Sequence, residues 1–214
     1  RSFDTIGLLA RDVALIETAA DLLLADDTAT PISSATWVTE LTERVVPDAL
    51  PVVTSGISAP TTSIGLDLTA AAAAFRAIQG REAWREHGAF IESTHPALHP
   101  DIAARFETAS CVSDAEVEDA AIVRAEVARV VRDATANGTV LLGPATPAGA
   151  PALGAADTTR ARALELTCLA SLGGAPVVVL HLARDGDLPL GIACLGAPGS
   201  DRALLRWCAS ALIG

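Results

Sequence analysis

Residues 176–196 read PVVVLHLARDGDLPLGIACLG. Two continuously apolar runs, PVVVLHL and GIACLG, flank a polar stretch centred on Asp185-Gly186. Apolar runs of this length between turn residues read as strands, and a turn of this kind joins them as a pair. Neither run alternates polar with apolar residues, so both faces of the pair are expected to be covered.

Outward from this pair the period changes. Residues 159–172 predict a helix, and before them TVLLGP at 139–144 reads as another buried strand, with a Pro/Gly/Ala loop from Pro144 to Ala156 between the two. Downstream, Ser200-Asp201 is placed to cap a final helix from Arg202 to about Leu212. Upstream, Ser113 and Glu116 form a capping-box pattern opening a helix that runs to about Ala136, where Asn137-Gly138 ends it. A long helix is expected from Leu66 to His87, an irregular stretch at ESTHPALHP, and a short helix over Asp101–Ala109. Residues 12–25 carry helical spacing with Asp12 as cap, and 34–45 predict a weaker helix ending before Pro47. PVVT at 51–54 reads as a short strand entering a loop from Ser55 to Ser63. Helices alternating with short apolar strands define an α/β protein with a covered sheet. Few strands serve many helices, so the sheet is expected to be completed by further chain. Neither an internal repeat nor a linker divides residues 1–214.

Half of the 214 residues are hydrophobic and 19% are charged, which is enough apolar material for a buried core. The formal net charge of −11 and the 3% aromatic content argue against nucleic acid and anionic membranes as partners. All fifteen basic residues are Arg; Lys, Met and Tyr do not occur. With Arg1 in first place and no Met, the chain is expected to be processed, trimmed or part of a longer polypeptide. No apolar run approaches the roughly 18 residues of a membrane span. Cys111, Cys168, Cys194 and Cys208 show no metal or disulfide spacing, so a reducing cytoplasm is the expected location.

Few residues offer chemistry. His95 and His99 have helical ligand spacing, but Pro96 and Pro100 place them in a loop. Gly56-Ile57-Ser58-Ala59-Pro60 fails the nucleophile-elbow pattern at its last position. A Cys168–His181 nucleophile–base pair is conceivable, although apolar surroundings favour core packing for both. Gly173-Gly174 precedes a strand rather than a helix, which excludes a phosphate loop. From the residues alone, this is a soluble acidic α/β domain without a self-contained active site.

Several segments, in order, carry a resemblance. Arg1 to Asp12, RSFDTIGLLARD, is similar to the S-F-D-T-V-G…A-R-D stretch that follows the catalytic signature of amidase-signature enzymes. Val140–Pro151 resembles that family's P-x-x-P-x-x-A-P pocket loop. Leu166-Thr167 through Gly174-Ala175-Pro176 resembles its helix and G-x-P strand entry, Leu188–Ile192 its L-P-x-G strand, and Gly199-Ser200-Asp201 with Leu204-Leu205 its closing helix. Ala71–Ile91, Ile102–Arg105 and Arg160–Ala163 are similar to the plant-type small-amide hydrolases, which include indole-3-acetamide hydrolases, and to the related import receptors.

The resemblance implies a mixed sheet with helices on both faces, and hydrolysis of a small-molecule amide by a Ser–cis-Ser–Lys triad without metal or cofactor. The triad falls in family sequence upstream of Arg1, and a chain without Lys cannot hold it, so no catalytic residue carries over. The chain is expected to be the C-terminal portion of one amidase domain, partnered by an N-terminal half as a separate or missing segment, with a homo-oligomer possible. Pocket-wall roles fall to Phe3, Asp4, Thr5, Thr146 and Pro147, with Trp84 as a further candidate. Two other readings stand beside this one: a non-catalytic amidase-like scaffold or receptor domain, and the amidase subunit of a glutamine-dependent amidotransferase.

Overall fold

The computed structural model of the chain describes residues 2–11, 13–153 and 158–211. The expected cap at Asp12, the end of the 144–156 loop and the last expected helical residue, Leu212, lie outside the described residues. In chain order the elements are α1 (Val13–Leu23), β1 (Ser34–Val38), α2 (Thr39–Thr42), α3 (Leu50–Ser55), β2 (Thr61–Thr62), α4 (Leu68–Thr94), α5 (Pro100–Ser110), α6 (Asp114–Thr135), β3 (Thr139–Pro144), α7 (Thr158–Gly173), β4 (Val177–Asp185), β5 (Leu188–Leu195) and α8 (Asp201–Ala211). The strands form one mixed sheet in the order β2-β1-β3-β5-β4. β1 runs parallel to β2 and β3, whereas β5 is antiparallel to both β3 and β4.

Successive strand residues face opposite sides, and the core divides accordingly. Trp37, Val140, Leu142, Ile192 and Cys194 pack on one face under Val53 of α3 and Leu204 and Cys208 of α8. Val38, Leu141 and Leu195 pack on the other under Leu68 and Ala71 of α4, Val127 and Val131 of α6, and Leu169 and Leu172 of α7. The expected mixed sheet covered on both sides is therefore present, built as helix, sheet and helix layers.

The strongest local signals of the sequence are realised. Ser113 Oγ accepts from the Glu116 N–H, and the Glu116 carboxylate accepts from the Ser113 N–H, closing the capping box of α6. Gly138, at φ 72°, ends that helix. The hairpin turns through Gly186, at φ 58°, as its polar stretch predicts.

Other expectations are corrected. Residues 34–38 are not helical: Ser34 to Trp37 take up parallel register with Thr139 to Leu142, and only Thr39–Thr42 turn helical. The PVVT segment is not a strand. Pro51 sits in the first turn of α3, where its missing N–H costs nothing, and Val53 turns into the core. The long helix continues to Thr94 and stops where His95 adopts φ 44°. Pro100 opens α5 rather than interrupting it, behind a His99 cap.

The final helix is not capped as expected either. Ser200 Oγ donates back to the Ala197 carbonyl, and the Arg202 and Ala203 amides donate to the Asp27 carboxylate at 2.9 and 2.6 Å. Arg202 in turn reaches Asp26 and the carbonyls of Asp21 and Leu24. The segment after α1 is thereby clasped to α8. Before the clasp, apolar side chains stand in solvent: Ile6, Leu9, Leu15, Leu22 and Leu23 are each more than half exposed.

Candidate functional site

In sheets with parallel strands, ligands gather outside the strand carboxyl ends. Here those ends belong to β1, β2 and β3. At the first, Glu40 follows β1 and its carboxylate accepts from Ser63 Oγ at 2.7 Å, the Ile64 N–H at 3.0 Å and the Gly65 N–H at 2.6 Å. Partial burial alone would raise the Glu40 carboxyl, but these donors hold it below its ordinary value. One side chain thus fixes the turn after β2 against the end of β1. Nearby, Glu165 of α7 accepts from Thr69 Oγ1 and lies 2.8 Å from Arg44 Nε, an ion pair without hydrogen-bond alignment.

At the end of β3, Ala145 N–H donates to the Gly191 carbonyl of β5. A Cβ on Gly191 would stand 2.8 Å from Val179 Cγ1 and 3.0 Å from Ala145 Cβ, so glycine allows this close approach. Thr146 is exposed and its hydroxyl donates to the Ala148 carbonyl. Pro147 is buried, and its carbonyl accepts from Val46 N–H at 2.9 Å. The loop is therefore tied to the turn between α2 and α3.

Phe3 lies elsewhere, stacked on Phe75 of α4 with ring centroids 4.5 Å apart and the Arg124 guanidinium 5.0 Å over its face. Phe3 and Asp4 line a cleft of 640 Å³ with Gln79, Glu82 and His87 of α4. Ser2 donates its N–H and hydroxyl to Glu82, one of the lining residues. Thr5 is exposed. Trp84 does not line this cleft: its half-buried ring covers Gly88, where a Cβ would lie only 2.8 Å away. The sequence-predicted residues thus fall into two groups, Phe3 with Asp4, and Thr146 with Pro147, with Trp84 apart from both.

A thiol nucleophile has no support in the geometry. Burial pushes the Cys168 thiol up to about 11, so it stays protonated at neutral pH. His181, expected in the core, is exposed on β4 where the register with β5 shifts. Cys194 is raised by its hydrogen bond to Cys208 and by burial. Among the described residues no group of three or more His, Cys, Asp or Glu side chains is placed to hold a metal ion. What the described residues supply at the strand ends is a set of turns pinned by the Glu40 and Glu165 carboxylates, which accept from the Ser63 and Thr69 hydroxyls. Sequence reading missed Glu40, which sits in α2 two residues after β1 and whose partners, Ser63-Ile64-Gly65, lie more than twenty residues on.

In sequence and in fold this chain is similar to amidases. It is 30% identical over 142 residues to Amidase 1 of Arabidopsis thaliana, covering 64% of this chain and 33% of that protein. It is 27% identical over 132 residues to the chloroplastic Outer envelope protein 64 of the same plant, covering 60% and 22%. A solved amidase superposes with a TM-score of 0.81 at 20% identity, over 94% of this chain and 50% of that one, a likeness of fold. No protein-family model matches. The chain spans a third or less of these curated relatives. Among the described residues no helix is long and apolar enough to cross a membrane.

Proposed function

We propose that residues 1–214 form the C-terminal portion of an amide hydrolase that converts a small carboxamide to a carboxylate and ammonia or an amine. In this reading a Ser–cis-Ser–Lys triad comes from an N-terminal segment, and this chain supplies sheet and pocket wall. The observation that carries it is the fit of nearly the whole chain to half of an amidase by a sequence that contains no Lys. Two further features support a missing companion. Among the described residues the sheet ends at a two-residue strand, β2, whose outer edge has no neighbour, and Ile6, Leu9, Leu15, Leu22 and Leu23 stand in solvent.

The pocket-wall roles rest on position. Thr146 and Pro147 follow a parallel strand, where ligands of such sheets collect, and Glu40 holds the facing turn. Phe3 and Asp4 are assigned to the wall on the resemblance of their segment. The likeness to Amidase 1 supports an amide as substrate, and that the amide is a linear one is part of the proposal.

The test is ammonia release from simple amides by the isolated protein, with and without added Lys-containing N-terminal segment. Turnover that appears with the segment and disappears on substituting its nucleophilic Ser supports the proposal; no turnover from the complete assembly overturns it. A second reading, a non-catalytic scaffold, draws on the likeness to the outer-envelope protein, and the same inactive assembly would favour it.

A further inference from the structure

α4, α5 and α7 line a groove of 790 Å³ that shares Gln79 and Ala83 with the Phe3–Asp4 cleft. That volume suits a small organic ligand, since such sites run about 300–1,000 Å³. Its floor is apolar, built from Ala83 of α4, Ile102 of α5, and Ala163 and Leu164 of α7. Each helix also gives the groove one arginine: Arg76, Arg105 and Arg160.

The protein carries 26 acidic residues against 15 basic ones. Arg44, Arg81, Arg85, Arg129, Arg202 and Arg206 all form ion pairs. Among the described residues, Arg76, Arg105 and Arg160 form none, as is also true of Arg124, Arg132 and Arg162, but Arg76, Arg105 and Arg160 share one groove. Three guanidiniums over an apolar floor, on a surface otherwise rich in carboxylates, complement a molecule with one anionic head and one apolar tail. A guanidinium matches a carboxylate with two parallel N–H donors, and the apolar floor holds what water rejects.

We propose that this groove binds a small carboxylate with an alkyl or aryl tail, its head held by Arg76, Arg105 and Arg160 and its tail on the alanine and leucine floor. The inference does not depend on amide hydrolysis. Such a carboxylate is also what cleavage of an apolar amide would release, so binding is measured without turnover and each idea can fail separately.

The experiment is isothermal titration of the protein as isolated, with any companion segment retained, using decanoate, decanamide, acetate and inorganic phosphate as probes. Decanoate is expected to bind, with decanamide and acetate each at least about tenfold weaker, since one lacks the charge and the other the tail. Single changes Arg76→Gln, Arg105→Gln and Arg160→Gln lie on exposed side chains and should leave the fold intact. At least one should weaken decanoate several-fold, and the triple variant should abolish binding. Ala163→Trp, which fills the floor, should also block it while circular dichroism stays unchanged. Decanoate binding that survives the triple variant overturns the proposal, as does equal binding of decanamide, of acetate or of phosphate. A groove closed by an acidic protein segment would leave decanoate without effect, and that result overturns it too.

Discussion

Replacing Asp27 by Ala tests whether the cap on α8 comes from 175 residues away. The Asp27 carboxylate accepts from the Arg202 and Ala203 amides, the second and third helical positions that an N-cap side chain serves. Loss of an N-cap costs about 0.5–2 kcal/mol. Here it also strips an acceptor from two partly buried amides, each worth about 1–3 kcal/mol when nothing replaces it. The Asp27 side chain is only 15% exposed, so water restores part of this, and a net loss of about 2–3 kcal/mol is expected. With a urea slope of about 2–3 kcal/mol/M, the midpoint should fall by about 1 M. The control is Asp26→Ala. Asp26 also pairs with Arg202, but its side chain is 96% exposed, and such pairs contribute at most about 1 kcal/mol. Urea unfolding followed by circular dichroism reads both. Equal midpoints for the two variants, or an Asp27→Ala shift below about 0.2 M, would refute the distant cap.

The remaining expectations concern other local devices. Glu40 is held below its ordinary value in the fold, so its contribution is complete above the unfolded carboxylate pKa and lost as pH falls through the depressed folded one. Glu40→Gln should therefore flatten the acid limb of a stability–pH curve, and an unchanged acid limb would rule the role out. Gly138→Ala should cost at least about 3 kcal/mol in urea unfolding, because φ is 72° and a Cβ there would collide with the Pro31 carbonyl oxygen. Ser113→Ala should cost about 1 kcal/mol through the lost capping box, seen as a lower thermal midpoint with native helix content.

What was legible in the sequence was local. Ser113 with Glu116, the glycine stop at 138, the TVLLGP strand and the PVVVLHL–GIACLG hairpin each carry their signal within a few residues. What was misread depends on partners far along the chain. Ser34–Val38 is a strand because Thr139–Leu142 lies beside it, not because SATWV announces one. Leu50–Ser55 looks β-like from its valines, yet Pro51 fits a helix start and the sheet face needs a short helix over it. Asp27 capping α8 has no sequence pattern at all. The site was legible by resemblance only: the loop at Thr146 and Pro147 does follow a parallel strand, whereas nothing near Phe3 announces Phe75, and nothing near Glu40 announces the turn at 63–65.

The central claim, that this chain is one part of an amide hydrolase, is most directly tested by intact-mass analysis of the natively purified protein under denaturing conditions. The account predicts a second component, or a longer covalent chain, that carries the Ser and Lys residues this sequence lacks. A single species of 21.8 kDa, unfolding cooperatively as a monomer, would contradict it.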